Sequence, residues 1–185
     1  MLPRKFYLRD SSEVAKDLLG KVLTRDGIKG RIVETEAYYG EGDPASHACN
    51  GRTERNEPMF GEAGRTYIYL CYGIYYLLNV TTEEEGSPGA VLIRALEPRE
   101  GVGKMRENRG VEEKEELTNG PGKLTQALNI TKEYNDQDVT KSSSDIRICE
   151  GEEVEEMGSS KRTGVSEHHN KELRFFDKNS EYISG

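Results

Sequence analysis

Residues 21–39 read KVLTRDGIKGRIVETEAYY, two segments of strand-like composition joined by Asp26-Gly27. Asp-Gly favours a two-residue type I′ turn, because aspartate and glycine tolerate the positive φ that both central positions require. The stretch therefore predicts a β-hairpin with strands over residues 21–25 and 28–39.

One helix is predicted before this hairpin. Asp10 has the spacing of a capping box with Glu13, and Val14 and Leu18 lie on one helical face before Gly20. We therefore expect a helix that starts after Asp10 and ends near Gly20.

The segments after the hairpin predict a long loop, a second hairpin and several short elements. Residues 40–65 are rich in glycine and charge and predict the loop, with one helical turn, and the second hairpin has Tyr72-Gly73 at its turn. Further elements are strands over residues 66–72, 74–82, 90–96, 145–149 and 174–176, and helices over residues 100–108 and 123–130. Hairpin-paired strands with helices between them, and no regular βαβ alternation, predict an α+β fold with an antiparallel sheet.

Length and composition favour one intracellular domain. The chain has 185 residues, which suits a single domain spanning residues 1–185. No apolar run approaches the roughly 20 residues of a membrane helix, and no signal peptide is visible at the start. Cys49, Cys71 and Cys149 are odd in number and widely spaced, which favours reduced thiols. We expect a protein of the cytoplasm and nucleoid, or of the nucleus according to the host, with no membrane contact.

The formal net charge of −8 argues at first against a nucleic-acid partner. The charge is unevenly distributed, however. Residues 1–40 carry eight basic and six acidic side chains, whereas residues 124–160 carry three basic and nine acidic ones. Local charge decides where a polyanion binds, while net charge acts mainly on solubility and encounter rates. Nucleic acid therefore stays among the candidate partners.

Glu34 and Glu36 are the first candidates for chemistry. They lie two positions apart on a predicted strand, so their side chains point to one face, with Tyr38 following on that face. Two carboxylates held close together cannot both ionise freely, so one of them can be poised as a base. A solvent-facing row of charged residues would have the same spacing, but the glycine-rich loop that follows, with His47, favours catalysis.

Tyrosine is concentrated beside these carboxylates. Seven of the ten tyrosines fall between residues 38 and 76, and tryptophan is absent from the sequence. Tyrosine is common on strands for packing reasons alone, but a cluster of this kind can also stack on a nucleobase, at about 1–3 kcal/mol per stack. Tyr72, at the tip of a predicted hairpin, has little core to join and is a candidate wedge between base pairs.

The segment NGPGK at residues 119–123 is a candidate phosphate contact. Gly122 allows a ligand to approach closely, and Lys123 adds positive charge at the start of a predicted helix. An ordinary turn before a helix explains the segment equally well, and the P-loop spacing is missing. No metal or cofactor is predicted, since the chain has three histidines and the neighbours His168 and His169 would point apart.

Several sequence blocks, taken together, resemble the 3-methyladenine (alkyladenine) DNA glycosylase family. They are VETEAY at 33–38, His47, residues 56–60, YIYLCYG at 67–73 running to Asn79, LIRALEP at 92–98 and GPGKL at 120–124. Order and spacing match from about residue 5 to residue 130, with weaker similarity at 162–165 and 174–175.

The resemblance implies a monofunctional enzyme of base-excision repair. Such an enzyme flips alkylated or deaminated purines out of duplex DNA and hydrolyses the N-glycosidic bond without strand cleavage. It also implies a compact domain with a curved, mostly antiparallel, partly barrel-like sheet, flanking helices and a protruding β-hairpin. The expected partner is duplex DNA that contains damaged purines, the expected oligomeric state is a monomer, and no cofactor is implied.

The resemblance also assigns roles to side chains of the base-binding slot. Glu36 would activate the water that attacks C1′, and Arg94 would help to hold that site in place. Tyr38 would stack on one face of the extruded base, with His47 and Tyr69 on the other.

Asn79 would also contact the base, where it would crowd the 2-amino group of guanine. Tyr72, outside the slot, would fill the gap left in the duplex. Segment 167–170 lacks an aromatic residue that is associated with the family. The basic side chains that would meet the phosphates are Arg52, Arg55, Arg65, Lys104, Arg106, Arg109 and Lys123.

Two other functions stay open. Glu34 and Glu36 would also suit a nucleoside or sugar hydrolase that acts on small molecules, and the tyrosines alone would suit a non-catalytic module that binds damaged DNA. Binding that weakens steeply with salt favours duplex DNA over a small molecule, because phosphate contacts release counterions. A glycosidic bond that stays intact after long incubation favours the binding module.

Overall fold

The computed structural model describes residues 1–165 and 171–184. The strands are β1 (Val22–Arg25), β2 (Ile28–Tyr38), β3 (Thr66–Cys71), β4 (Tyr75–Thr81), β5 (Ala90–Glu100), β6 (Arg147–Cys149), β7 (Met157–Ser160) and β8 (Arg174–Asp177). The α-helices are α1 (Arg4–Tyr7), α2 (Ser11–Leu18), α3 (Val102–Arg109) and α4 (Pro121–Ala127). Short 3-10 helices lie at Glu57–Phe60, Lys114–Glu116 and Lys132–Tyr134.

The described strands form one sheet of eight, in the order β3-β4-β5-β2-β1-β6, with β8 on β2 and β7 on β8. All the pairings between these strands are antiparallel, and the sheet curls into a half-barrel. The predicted α+β fold with a curved antiparallel sheet is therefore confirmed.

Strand β2 is the centre of the sheet. The turn before it has φ of 49° at Asp26 and 78° at Gly27, as the predicted type I′ hairpin requires. One edge of β2 pairs first with β1 and then, at Glu34–Glu36, with β8. Its other edge pairs with β5, which runs to Glu100 because it follows β2 almost to the hairpin turn. This pairing explains why β5 is longer than the apolar segment 90–96.

Both faces of β2 are buried from Gly30 to Ala37. On one face, the Thr35 hydroxyl donates a hydrogen bond of 2.8 Å to the carbonyl of Ala15 in α2. Val14, Ala15 and Leu18 of α2 pack into the same hydrophobic core. The opposite face carries Glu34 and Glu36, so that two carboxylates lie at the centre of the sheet with no exposed surface.

Among the α-helices and strands, two were not predicted from the sequence. Helix α1 has one turn, and β7 has the sequence MGSS in a polar, acidic region. Strand β7 forms because its backbone pairs with β8, which itself pairs with β2. Within residues 1–165 and 171–184, no helix is long and apolar enough to cross a membrane.

The start of α2 is stabilised by Asp10, as the capping pattern predicted. Its carboxylate accepts hydrogen bonds from the backbone N–H groups of Ser12 (2.9 Å) and Glu13 (3.2 Å) and from the Tyr39 hydroxyl (3.0 Å). Partial burial raises the pKa of Asp10, but the hydrogen bonds from Ser12 and Tyr39 outweigh it and the pKa is lowered. The cap is therefore strongest when Asp10 is ionised.

We expect Asp10→Ala to reduce the free energy of unfolding by about 1 kcal/mol at pH 7, because it removes the cap. Since the pKa of Asp10 is lowered by folding, this stabilisation is lost as pH falls through the folded-state pKa, and the difference from wild type should shrink in acid. Denaturant unfolding at several pH values measures both effects. Asp10→Asn, which keeps a cap acceptor, is the control, and equal losses in both variants would contradict the cap.

Candidate active site

A cavity of about 670 Å³ opens between the β3–β4 hairpin, the loop that follows β2, and the start of α4. Most of its aromatic lining comes from the tyrosine-rich segments of the sequence. The lining includes Tyr38, His47, Tyr67, Tyr69, Tyr72, Tyr75, Asn79, Arg94, Gly122 and Lys123. The structure thus brings to one cavity the predicted side chains for base stacking, duplex insertion and phosphate contact.

His47, Tyr67 and Tyr69 form one wall of the cavity. The His47 and Tyr69 rings meet edge to face, with their centroids 4.5 Å apart. Nδ1 of His47 lies 2.8 Å from the Tyr67 hydroxyl. Burial, followed by the charge of Arg55, lowers the pKa of His47, so that its ring is neutral at neutral pH. This wall is therefore an uncharged aromatic surface.

The loop that carries His47 is held by the buried side chain of Asn56. Its amide group donates to the carbonyls of His47 (2.8 Å) and Gly51 (2.9 Å). Its carbonyl oxygen accepts from the backbone N–H of Thr53 at 2.6 Å. One side chain thus fixes the position of His47 without a regular element.

Tyr38 stands on β2 and lines the cavity. The guanidinium of Arg162 lies 4.5 Å from its ring centroid. Arg162 is buried and makes two hydrogen bonds, of 2.6 and 2.7 Å, to the carboxylate of Asp43. A paired cation therefore supports the Tyr38 ring from the protein side.

Glu36 lies directly behind the cavity wall. One carboxylate oxygen accepts from the Tyr38 hydroxyl at 2.8 Å, and the other accepts from the backbone N–H of Thr163 at 2.7 Å. Nη1 of Arg94 is 3.3 Å from that second oxygen. Burial raises the pKa of Glu36 more than Arg94 and these hydrogen bonds lower it. The sequence predicted this carboxylate in the slot, and the structure places it one side chain deeper, behind Tyr38.

Glu34 is equally buried, but its carboxylate accepts four hydrogen bonds. It accepts from Nε of Arg94 (2.8 Å), Nε of Arg174 (2.6 Å), and both the backbone N–H (2.6 Å) and the hydroxyl (2.8 Å) of Ser184. Burial alone would raise its pKa, but the Ser184 and Arg174 hydrogen bonds and the charge of Arg94 lower it. The pKa values of the two carboxylates are thus shifted in opposite directions, and Glu36 is the one whose pKa is raised.

Asn79 lies on the floor of the cavity and is almost fully buried. Its side-chain amide donates to the carbonyl of Tyr67 at 3.0 Å, which fixes its orientation. The neighbouring apolar lining of Met59, Leu77 and Leu92 was not predicted from the sequence, because nothing in these residue types separates a cavity wall from a core.

Tyr72 projects from the tip of the second hairpin. Tyr72 and Gly73 have φ of 50° and 70°, and the N–H of Ile74 donates to the carbonyl of Cys71 at 3.1 Å, so they are the central residues of a tight turn. The Tyr72 side chain is 87% exposed, next to Ile74 at 67%. The predicted hairpin tip is thus an exposed apolar point at the mouth of the cavity.

The basic side chains that were predicted to meet DNA are mostly paired within the chain. Ion pairs join an acidic side chain to each of Arg52, Arg65, Lys104, Arg106 and Lys123. Arg109 instead contacts Gln126. The guanidinium of Arg55 lies 5.2 Å from the Tyr69 ring centroid, beside the cavity. Arg55 therefore carries its charge beside the aromatic wall.

The structure gives Gly122 a packing role. A Cβ at this position would lie 2.7 Å from Cγ of Tyr75, so only glycine lets α4 pack against β4 here. Lys123 donates to Glu116 at 2.6 Å. A phosphate contact at Gly122 and Lys123 stays a prediction.

Within residues 1–165 and 171–184, no group of three histidine, cysteine or acidic side chains is arranged to hold a metal ion. His168, His169 and the segment 167–170, which figured in the sequence interpretation, lie outside the described residues.

Sequence reasoning missed the C-terminal part of the site. Thr163 contributes a backbone N–H, and Ser184 a backbone N–H and a hydroxyl, and neither residue type marks such a role. Arg162 and Arg174 gave a weak signal as basic residues in blocks of partial similarity. Their contacts depend on β8 and the following segment returning to β2, which no local pattern shows.

Comparison with known proteins identifies the family of the chain. The sequence profile of the methylpurine-DNA glycosylase family matches residues 5–181. A relative from Methanocella arvoryzae, named "Putative 3-methyladenine DNA glycosylase", is 47% identical, with 100% of this chain and 96% of the relative covered. Relatives of the same name from Carboxydothermus hydrogenoformans and Chlorobium phaeobacteroides (strain DSM 266) are 44% and 42% identical, over 100% of this chain and 98% and 96% of theirs. The chain belongs to the methylpurine-DNA glycosylase family.

Proposed function

We propose that this chain is a monofunctional DNA glycosylase that acts, as a monomer, on alkylated or deaminated purines in duplex DNA. The observation that carries the proposal is the position of Glu36, a buried carboxylate of raised pKa, directly behind an aromatic-walled cavity. A base flipped into such a cavity would bring its sugar carbon close to a group that can accept a proton from water.

The aromatic walls suit a damaged purine. The base would stack between Tyr38 on one side and His47 with Tyr69 on the other, which offsets part of the few kcal/mol that unstacking costs. Alkylated purines are often cationic, and a tyrosine face attracts a cation. Asn79, held by its hydrogen bond to Tyr67, would crowd the 2-amino group of guanine and disfavour that normal base.

In the proposed reaction, water attacks C1′ as the C1′–N bond breaks. The purine leaves with the bonding electrons, and Glu36 takes a proton from the water. Positive charge develops on the sugar, and the Glu36 carboxylate stabilises it. Since Glu36 is already bonded to the Tyr38 hydroxyl, the attacking water would replace that hydroxyl as its partner.

Hydrolysis is favoured over strand cleavage because the described hydrogen-bond and ion-pair partners of Glu36 include no lysine. They are Tyr38, Thr163 and Arg94. A lysine nucleophile would be needed next to C1′ for Schiff-base chemistry. A hydrolase of small molecules would have no use for Tyr72, which is exposed at the cavity mouth and suits insertion into a duplex.

Glu36→Gln should abolish excision, with a fall of at least about 100-fold in the single-turnover rate, because it removes the proposed base. Binding to a duplex with a hypoxanthine or an alkyladenine should stay within a few-fold of wild type. Gel-based excision and fluorescence anisotropy measure the two quantities. Glu41→Gln, at an exposed glutamate, is the matched control, and an unchanged rate for Glu36→Gln would remove Glu36 from the mechanism.

Tyr38→Phe tests the pH dependence. Glu36 must be ionised to act as a base, so the rate falls as pH drops through its pKa. The Tyr38 hydroxyl lowers that pKa in the free enzyme, so its removal should move the acidic limb of the kcat/KM profile, which reports the free enzyme, to higher pH. Tyr39→Phe, which loses a hydroxyl bonded to Asp10 outside the cavity, should leave the limb in place. A shift to lower pH for Tyr38→Phe would contradict the assignment.

Tyr72→Ala should slow excision by roughly tenfold, because the flipped state loses the side chain that fills the duplex. The melting temperature should stay near that of wild type, since the ring is 87% exposed. Leu8→Ala, at an apolar side chain that is 45% exposed elsewhere, is the control for surface truncation. A large fall in melting temperature would show that Tyr72 belongs to the core.

A further inference from the structure

Glu34, Glu36, Arg94 and Arg174 form a buried charge network. Ser184 lies at its centre, although it is far from the cavity residues in sequence. Its backbone N–H and hydroxyl donate to the two oxygens of Glu34 at 2.6 and 2.8 Å. The same hydroxyl accepts from Nη2 of Arg94 at 3.0 Å, and the Ser184 carbonyl accepts from Arg174 at 3.2 Å. One residue thus contacts three of the four charged groups of the network.

Arg94 is shared between two carboxylates. Its Nε donates to Glu34, its Nη1 is 3.3 Å from Glu36, and its Nη2 donates to Ser184. The guanidinium is planar, so fixing Nε and Nη2 also fixes Nη1. The contacts of Ser184 therefore determine where Arg94 presents its charge to Glu36.

We propose that Ser184 is a positioning residue for base excision. Ser184 donates two hydrogen bonds to Glu34 and accepts one from Arg94, and these contacts keep Arg94 in place beside Glu36. This inference rests on the proposed function, because it concerns the same carboxylate. Ser184 does not line the cavity and would not touch the substrate.

The electrostatic consequence follows from the groups that face Glu36. These are Arg94 from β5, Glu34 and Tyr38 from β2, Tyr69 from β3, and the N–H of Thr163. Arg162 lies behind Tyr38, and Arg174 of β8 contacts Glu34. Without the Ser184 hydroxyl, the Glu34 carboxylate loses one of its hydrogen bonds. It then attracts the Arg94 guanidinium more strongly, away from Glu36. Glu36 then loses part of its neighbouring positive charge, and its pKa rises.

The first experiment compares single-turnover excision in Ser184→Ala, Ser184→Thr and Ser159→Ala. Ser184→Ala should lower the rate about tenfold at neutral pH, the size expected for a lost hydrogen bond to a charged group, with duplex affinity unchanged. Ser184→Thr keeps the hydroxyl and should regain most of the rate. Ser159, an exposed serine bonded to Glu172, is the matched control and should behave as wild type. Equal rates for Ser184→Ala and wild type would overturn the inference.

A double-mutant cycle separates positioning from simple stabilisation. If Ser184 acts by holding Arg94 beside Glu36, adding Ser184→Ala to Arg94→Gln should change the rate less than twofold. An undiminished tenfold loss in that background would show that Ser184 acts by another route and would overturn the inference. Thermal unfolding of every variant confirms that the proteins compared are folded.

Carbon-13 NMR titration of the Glu36 carboxyl in the free protein gives a readout that does not need excision. Ser184→Ala should raise the pKa of Glu36, whereas Glu34→Gln, which removes a negative neighbour and releases Arg94, should lower it. An unmoved Glu36 titration in Ser184→Ala overturns the inference even if the enzyme is active. A wild-type protein that releases no base overturns the proposed function, and the titration still decides the role of Ser184.

Discussion

Two carboxylates two residues apart on the central strand of a sheet, both without exposed surface, set the main physical constraint on this protein. A buried charge is stable only when hydrogen bonds and opposite charges replace its lost water. The structure meets this demand from distant parts of the chain, with Arg94 from β5, Arg174 from β8 and Ser184 beyond it. Strands β5 and β8 both pair with β2, so the strand pairing brings Arg94 and Arg174 to the buried carboxylates.

Glu34 and Glu36 receive unequal numbers of hydrogen bonds, and this difference distinguishes the two carboxylates chemically. Glu34 accepts four hydrogen bonds and stays an anion, whereas Glu36 accepts two and shares Arg94. A carboxylate that is less satisfied by the protein has more to gain from a proton, which suits a base. Glu36 is also the one whose partner, Tyr38, lines the cavity, so this carboxylate and the aromatic wall are coupled through one hydroxyl.

The formal net charge of −8 does not by itself exclude the proposed DNA partner, because local charge rather than the total decides where a polyanion binds. Most of the basic side chains proposed to meet DNA already contact acidic side chains of the same chain, so they add little long-range attraction. Arg55, beside the Tyr69 ring, and the exposed apolar hairpin tip lie where the duplex would approach the cavity. Attraction at that mouth, rather than over the whole surface, would then guide binding.

The sequence by itself determined most of the elements and most of the aromatic and acidic side chains of the site. The Asp26-Gly27 and Tyr72-Gly73 turns, the cap at Asp10 and the common face of Glu34 and Glu36 follow from local backbone preferences and strand periodicity, which act over a few residues. Tertiary structure alone decided that Glu36 lies behind Tyr38, that Gly122 is required by Tyr75, and that Thr163 and Ser184 complete the network. These contacts join residues up to 150 positions apart, and they depend on how strands pair and how buried charges are satisfied, which no local pattern encodes.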